Sequence, residues 1–526
     1  MYHTHPFGDP DGSRAQIDNI MEGFITSTSK YFPIQDTNMR TRIIVGAKGS
    51  GKTLYLRRMQ IKVKEEKSVY VGEIANEPPS TSSIIRFSQL FDINTLTEKW
   101  MLLWRCALLR SLSSHILGES SLRSYLNETD IKEIRQFKKK LLFPKAEYPM
   151  DPYEEARNIL SYLDTKEEFN EYFSLREWDE LDHILGKLLS RFPPIYFFLD
   201  CIDDEYGHAP MYWMRCQKGL FYRCMRFLRH PIYGNKFHLV ICVRDQVISS
   251  VYQSEHSTRY LNDSHVLSLD WSYRSIEYFF ITKISRLQDC FFMKLDESHG
   301  KQLSNWLGIS TITNVIRDIK EPLMQYILRH TRLSPRDIVD IGNALSAIMR
   351  ESSEREDFDI EAEIRSKVST ATRAFGKELL SICANQINNN QMPDTAGKMD
   401  YSEVYTSVHE YVEQTSNKLC KILGMLPSDR FTWNDIEAIN SYIKDNKNLL
   451  TDNHYLFDVL WQNGAIGYTE TAPNGGEEEI FFVDCNYEHF TLPKEKKQYL
   501  LRTCLLDFIG SPIAKSKKPV IGGSIK

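Results

Sequence analysis

The stretch that decides the fold of this chain reads Thr41-Arg42-Ile43-Ile44-Val45-Gly46-Ala47-Lys48-Gly49-Ser50-Gly51-Lys52-Thr53. It begins with a compact run rich in β-branched residues, which favours a buried strand. Glycines then recur over six residues, and the segment 54–64 that follows contains good helix formers with no Gly or Pro. The stretch therefore predicts a strand, a glycine loop and a helix in immediate succession.

The glycine loop has the spacing G-x-x-x-x-G-K-[ST] of a phosphate-binding loop. Glycines let the backbone wrap closely around a triphosphate, and the amides from about Gly49 to Thr53 would point at it together with the positive end of the helix dipole. We expect Lys52 to reach the β- and γ-phosphates and the Thr53 hydroxyl to hold Mg²⁺. The predicted nucleotide-binding residues are Gly46, Ala47, Lys48, Gly49, Ser50, Gly51, Lys52, Thr53 and Leu54. The alternative interpretation is a glycine-rich loop with an incidental lysine.

Further apolar runs are widely spaced along the chain, at 69–71, 195–199, 237–243 and 266–269. Continuous apolar runs separated by helical stretches are typical of parallel strands buried on both faces, whereas half-exposed antiparallel strands alternate apolar and polar residues. The predicted fold class is therefore α/β, with a parallel-sheet core around the glycine loop.

Asp200 directly follows the second of these runs, so it is the candidate second magnesium ligand and a candidate catalytic residue. Many hydrolases with a phosphate-binding loop carry a water-polarising carboxylate at the next position, but here that residue is Cys201. The base would then be Asp203, Asp204 or Glu205, and the D-x-x-D spacing favours Asp203 or Asp204. These carboxylates are equally typical of a solvated helix start, where the dipole favours them.

Two arginines complete the predicted catalytic set. Arg244 closes the run 237–243, at the strand end where ligands bind in open parallel sheets, and it would stabilise charge on the transferred phosphoryl group. Arg336 follows Pro335, which suits the first turn of a helix, so its side chain would reach the phosphates from the far side of the cleft. A surface salt bridge is the alternative role for Arg244.

The remaining sequence divides into segments of different pattern. We expect a core over 1–274 with a helical insertion at about 75–190, a helical lid over 275–350 and a partly helical connector over 351–400 whose polar stretches lie at 351–357 and 385–400. Residues 401–508 are helical until Leu460 and then show two short strands, around 464–468 and 480–483, joined by a glycine turn. That order is the outline of a winged helix. The basic tail 509–526 is predicted to be disordered.

Composition excludes several classes of protein. The 526 residues carry 65 Lys and Arg against 70 Asp and Glu, a net charge of -5, which argues against a protein whose whole surface coats nucleic acid. No apolar run approaches the ~20 residues needed to span a bilayer. The ten cysteines show no zinc spacing, and several lie inside apolar runs, which is typical of core residues in a reducing cytoplasm. A cytoplasmic protein without a structural metal is predicted.

Taken together, these motifs resemble the AAA+/STAND superfamily of P-loop ATPases. The resemblance is carried by Gly-Ser-Gly-Lys-Thr at 49–53, by Phe-Leu-Asp-x-Ile-Asp-Asp at 198–204, by Arg244, by Trp271 and by Pro335-Arg336-Asp337. It extends over about residues 1–350, including a Phe7-Gly8 pair, and is closest to origin-recognition-type ATPases and bacterial defence-associated ATPases. It implies an ATP- and Mg²⁺-dependent switch with a helical lid, which often forms oligomers and, in bacteria, often works beside a separate effector in anti-phage defence. Cys201 and the helical insertion depart from the family pattern.

The leading functional hypothesis is an ATPase that acts as a switch or scaffold, assembles with itself and a partner protein, and hydrolyses ATP slowly because the usual carboxylate is displaced. The alternative is a nucleic-acid-loading ATPase that contacts DNA through the winged helix and the tail, although Glu470 and the acidic run 477–479 would repel phosphates. A third possibility is a module that holds nucleotide only to stabilise its fold. The sequence does not discriminate ATP from GTP.

Overall fold

The computed structural model of the chain describes residues 5–15, 41–66, 68–137, 140–142, 148–200, 210–230, 233, 235–252, 260, 263–293, 302–352, 358–391, 401–446, 450, 456–473, 475–485, 491–510 and 513–523. Within these ranges, no helix combines the length and the apolar character that crossing a lipid bilayer requires.

A five-stranded sheet forms the centre of the first half of the chain. Its strands are β1 (Thr41–Gly46), β2 (Tyr70–Ala75), β3 (Ile195–Leu199), β4 (Phe237–Arg244) and β5 (Val266–Ser268). They lie in the order β2-β3-β4-β1-β5, and every neighbouring pair is parallel. Strands β3 and β4 are buried along their whole lengths, which explains why their sequences are continuously apolar. The predicted α/β class with a parallel sheet is confirmed.

Helix α1 (Lys52–Lys64) follows β1 and covers one face of the sheet. Seven helices lie between β2 and β3 in the described part of the chain. They are α2 (Thr81–Gln89), α3 (Leu96–Gly118), α4 (Ser120–Arg123), α5 (Glu128–Arg135), α6 (Pro152–Tyr162), α7 (Lys166–Ser174) and α8 (Glu177–Leu189). Trp100 and Trp104 of α3 are almost fully buried, and the indole of Trp104 donates to the carbonyl of Cys216, so this region packs on the core through its tryptophans.

Further helices lie between and after the last strands of the central sheet, and a separate small sheet lies near the C-terminal end. The helices are α9 (Pro210–Arg229), α10 (Asp245–Tyr252), α11 (Tyr273–Ser285), α12 (Leu303–Leu307), α13 (Leu323–Arg329), α14 (Pro335–Ser352), α15 (Ile360–Gln391), α16 (Tyr401–Leu423), α17 (Trp433–Asp445), α18 (Leu456–Gln462) and α19 (Thr503–Ile509). A hairpin of β6 (Thr311–Asn314) and β7 (Ile319–Pro322) precedes α13. The strands β8 (Arg430–Phe431), β9 (Ile466–Thr471), β10 (Glu477–Ile480) and β11 (Tyr499–Leu501) form an antiparallel sheet in the order β10-β9-β11-β8.

Four details differ from the sequence expectations. The stretch 275–350, which was expected to be a helical lid, contains the β6–β7 hairpin. The polar stretch that was expected to connect domains from residue 385 is helical as far as Gln391, because Ile387 keeps one face of α15 buried. The second strand of the glycine-turn hairpin is Glu477–Ile480, and Phe482–Cys485 is instead a 3-10 helix. Residues 513–523 of the tail are packed rather than disordered, since Val520 is fully buried and Ser516 donates its amide to Asp429.

Helix α15 packs closely against α19 at a glycine. A Cβ built on Gly376 would lie 2.3 Å from the carbonyl oxygen of Cys504 and 2.6 Å from the Cβ of Phe508. Because real Cβ atoms do not approach a backbone carbonyl so closely, only glycine allows the two helices to meet at this distance.

Replacing Gly376 by Ala is expected to lower the free energy of unfolding by about 2 kcal/mol, because the methyl group overpacks this contact. An exposed helical glycine would instead gain about 1 kcal/mol from the same change. Chemical denaturation of the full chain measures the difference. Thr370→Ala, on the exposed face of the same helix, is the control and should shift stability by less than about 0.5 kcal/mol. A stabilised Gly376→Ala protein would show that the helices do not meet here.

Candidate functional site

The glycine loop, residues 46–51, lies at the carboxyl edge of the central sheet between β1 and α1. Gly49 and Gly51 have φ values of 84° and 95°, in the left-handed region that favours glycine. A Cβ built on Gly46 would lie 2.3 Å from the Oγ of Ser50, so this position also requires glycine. The loop therefore owes its tight curvature to the three glycines that sequence analysis identified.

Lys52 folds back into this loop. Its side chain is only 5% exposed, and its ammonium donates hydrogen bonds to the carbonyl oxygens of Gly46 at 2.9 Å and Ala47 at 3.0 Å. A buried ammonium is costly unless such acceptors surround it. The lysine thus lies where the loop closes on itself, which is the position from which it would meet an anion entering the loop.

Asp200 lies at the same edge of the sheet as Lys52. Its amide donates to the carbonyl of Ala75, which continues the pairing of β3 with β2 by one residue. Leu199 pairs with Ile241, so Asp200 is level with Cys242, whose thiol is 3.8 Å from the carbonyl oxygen of Lys52.

The direction of the Asp200 side chain follows from the alternation along β3. Tyr196 and Phe198 lie in the cluster that packs under α1, and Asp200 is the next residue in that alternation. Only β4 separates β1 from β3, which puts the two strands roughly 10 Å apart. Lys52 and Asp200 therefore lie at the same edge of the sheet, two strands apart, and their joint action in one site stays a prediction.

Arg244 and Arg336 both adjoin the loop. Arg244 closes β4, pairs in register with Gly46 and is buried, and its amide donates to the side-chain oxygen of Gln217 at 3.4 Å. Arg336 is the second residue of α14, and its amide donates to the carbonyl of Gly49 at 3.3 Å. The sequence predicted Arg244 at this strand end and Arg336 on the far side of the cleft, and the backbone of both residues lies beside the loop.

Two further groups hold the loop from outside. The indole of Trp271, after β5, donates to the carbonyl of Ser50 at 3.0 Å. The guanidinium of Arg57 donates to the carbonyl of Gly12 at 2.7 Å, and Gly12 lies against Leu54. The segment 5–15 therefore covers the start of α1, close to Thr53. Sequence analysis noted a Phe7-Gly8 pair there but not this contact.

The same segment reaches α14 through paired amide hydrogen bonds. The amide of Phe7 donates to the side-chain oxygen of Asn343 at 2.9 Å, and the Asn343 side chain donates to the carbonyl of Gly8 at 3.0 Å. The Phe7 ring lies over Gly342, where a Cβ would be 2.4 Å from a ring carbon. The N-terminal segment thus ties α14 to α1 across the loop.

Lys48 has a partner that the sequence did not reveal. Its ammonium is 3.0 Å from a carboxylate oxygen of Glu378 on α15, and Arg332 donates to the same carboxylate at 2.6 Å. Burial opposes ionisation of Glu378, but Arg332 and Lys48 outweigh it and lower the pKa of Glu378 to about 2. No local motif marks Glu378, because it lies in an ordinary helical stretch far along the chain from the loop.

The remaining predicted residues lie outside the described part of the chain. These are Cys201, Asp203, Asp204 and Glu205, all of which follow Asp200. The assignment of a base among these carboxylates stays a prediction. Within the described residues, no cluster of three His, Cys, Asp or Glu side chains is arranged to hold a metal ion by itself.

Comparison with known proteins provides no family assignment. No protein-family model matches the chain, and no curated protein matches it.

Asp340 is a titratable group beside this site, one turn after Arg336 on α14. Burial and the neighbouring Asp337 raise the pKa of Asp340 from the ordinary 3.8 to about 6, against the opposing effect of Arg336 and Arg332. Because the folded-state pKa is raised, ionisation of Asp340 costs stability. The cost is absent below about pH 3.8, appears as the pH rises to 6 and is complete above it.

Asp340→Asn is therefore expected to stabilise the protein at pH 7–8 by about 1 kcal/mol, a value discounted for partial solvent exposure. The gain should disappear as the pH falls towards 4, where the wild-type carboxyl is protonated. Denaturation curves at several pH values measure this difference. Asp445→Asn, at an exposed position of α17, is the control and should show no comparable trend. Equal stability of Asp340→Asn and wild type at pH 8 would contradict the assignment.

Proposed function

We propose that this chain is a Mg²⁺-dependent ATPase of the P-loop type, which acts as a switch or scaffold and hydrolyses ATP slowly. The observation that carries the proposal is the placement of Lys52 inside a glycine loop at the same sheet edge as Asp200. A loop of this curvature presents backbone amides to phosphate oxygens, and a buried lysine provides the charge. The strand order, with β4 between β1 and β3, supports it because it leaves room for a bound ion between the two partners.

The residues present fit a magnesium–nucleotide complex. Thr53 is half-exposed at the start of α1, and Asp200 continues β3 at the same edge, so their oxygens would hold Mg²⁺. Hydroxyl and carboxylate oxygens are the ligands that Mg²⁺ prefers, and it usually keeps several waters and phosphate oxygens as well. When bound, the ion would neutralise charge on the phosphates.

The chain's own residues would bind the polyphosphate and stabilise its charge. The loop amides and Lys52 would orient the polyphosphate, with Lys52 exchanging its carbonyl acceptors for phosphate oxygens. Arg244, beside Gly46, and Arg336, beside Gly49, would stabilise negative charge that develops on the transferred group. The absence of a carboxylate at Cys201 supports slow turnover, since the base would come from Asp203, Asp204 or Glu205 further along the chain.

Two parts of the chain support a role in assembly rather than in nucleotide chemistry alone. The helical region between β2 and β3 is a large addition to the sheet core. The C-terminal unit packs on α15 through α19, and its order, with α17 and α18 before the β9–β10 hairpin, supports the proposal that it is a winged helix. We propose that these surfaces bind a second copy of the chain and a separate effector or partner protein in the cytoplasm. The resemblance to bacterial defence-associated ATPases supports anti-phage defence as the setting.

The alternative is an ATPase that loads onto DNA through the winged helix. Only the arrangement of the C-terminal unit favours it. Two lysines of its basic tail are occupied within the chain. Lys518 pairs with Glu477, and Lys515 is 3.3 Å from Asp507. Lysines that are paired internally release fewer counterions from DNA, which weakens binding.

Lys52→Ala is expected to weaken binding of ATP by at least about 100-fold, because it removes the buried charge that faces the phosphates. Isothermal titration with Mg²⁺–ATP measures the affinity. Lys62→Ala, on the exposed end of the same helix, is the matched control and should bind as wild type. Wild-type affinity in Lys52→Ala would refute the proposed site.

Asp200→Asn is expected to bind ATP but to lower steady-state hydrolysis by about 100-fold, since an amide holds a divalent cation less well than a carboxylate. Phosphate release at saturating ATP measures the rate.

The DNA-loading alternative is tested by titrating duplex DNA between 50 and 200 mM salt, where a loader loses about 10³-fold or more in affinity. Bound ATP recovered unchanged from wild type after long incubation would instead favour a purely structural nucleotide.

A further inference from the structure

We propose that Lys48, Glu378 and Arg332 form a latch that holds α15 on the glycine loop, and that a polyphosphate entering the loop releases it. This inference rests on the proposed function, because it concerns the regulation of the same site. It assigns Glu378 as a residue that sets the affinity of the site without contacting the nucleotide.

The latch joins two distant parts of the chain. The ammonium of Lys48, in the loop, is 3.0 Å from Glu378, which lies 330 positions further along the sequence. The side chains of the pair are 25% and 28% exposed, so solvent screens their attraction only in part. Of the three members, only Lys48 belongs to the loop that would wrap a polyphosphate.

Arg332 fixes the carboxylate end of the latch. Its guanidinium donates to both carboxylate oxygens of the fully buried Asp337, at 2.6 and 3.0 Å, and donates to Glu378 at 2.6 Å. Glu378 therefore keeps its place whether or not Lys48 is present. The lysine, on a flexible four-carbon side chain, is the member that can change partners.

A bound polyphosphate competes for Lys48. Phosphate oxygens form charge-assisted hydrogen bonds with ammonium groups, and they would carry several negative charges into the loop that contains Lys48. The same charges repel the carboxylate of Glu378. Both effects act in one direction: they detach the loop from α15. Because phosphate binding opens the latch, thermodynamic linkage requires that the closed latch lowers the affinity of the loop for phosphate.

Helix α15 connects the latch to the C-terminal unit. Two residues before Glu378, Gly376 lies against the backbone of α19. Eight residues after it, or about 12 Å along the helix, Gln386 accepts a hydrogen bond from Asn463 at 2.6 Å, and Asn463 accepts one from Gln246 of α10 at 3.0 Å. These amide contacts are uncharged, so phosphate does not compete for them directly. The Lys48–Glu378 ion pair is therefore the contact of α15 that responds to a phosphate group in the loop.

Two substitutions break the latch with different effects on binding. Glu378→Gln should raise the affinity for Mg²⁺–ATP about tenfold, and amide hydrogen exchange over 370–386 in the nucleotide-free protein should speed up to the rate that wild type shows with ATP bound. Lys48→Met should speed up the same exchange without any gain in affinity, because it also removes a cation from the loop. Glu361→Gln, which breaks the 3.2 Å pair with Arg365 on the same helix, is the control and should change neither.

The outcomes separate the latch from the proposed function. Wild-type ATP affinity in Lys52→Ala would defeat the nucleotide site, and the latch with it. Loss of binding in Lys52→Ala, together with wild-type affinity and exchange in Glu378→Gln, would overturn the latch alone. If Glu378→Gln fails to fold, Lys48→Met decides the matter, because unchanged exchange over α15 in that variant would equally overturn it.

Discussion

The rest of the site depends on one buried charge, the ammonium of Lys52 held by the carbonyls of Gly46 and Ala47. A buried cation must be surrounded by acceptors, and the loop supplies them only by curling tightly around it. That curvature in turn requires glycine at positions where a Cβ would collide or where φ is positive. This closure fixes the directions of the strand before the loop and of the helix after it. It also fixes the edge of the sheet at which a ligand would bind.

The loop is also held from outside by residues that lie far from it in the sequence. Trp271 anchors Ser50, the backbone of Arg336 anchors Gly49, and Glu378 pairs with Lys48. These contacts come from different parts of the chain, and none of them involves Lys52. A loop held in this way is pre-organised, so little of the binding energy of a ligand is spent on ordering it. The ion pair is the contact that a ligand can exchange.

In the C-terminal unit, charged groups that suggest an interaction surface in the sequence are paired with each other within the chain. The Glu479 side chain of β10 accepts the amides of Ile521 and Gly522 and pairs with Arg430 at 2.9 Å, so it holds the packed tail against this strand. Lys518 adds a further pair with Glu477. The acidic run and the basic tail, which seemed to conflict as a DNA-binding surface, are partners of each other.

The sequence by itself determined the local units: a strand, a glycine loop and a helix around Lys52, an aspartate at the end of the buried run 195–199, and Pro335 at the first turn of α14. These patterns span about ten residues, over which covalent geometry and helix or strand propensity are sufficient. Only the tertiary structure decided that β4 lies between β1 and β3, that Arg244 stands opposite Gly46, that Glu378 meets Lys48 and that the tail packs on β10. Such contacts join positions tens to hundreds of residues apart. They depend on the packing of the whole chain, so the sequence around each position does not reveal them.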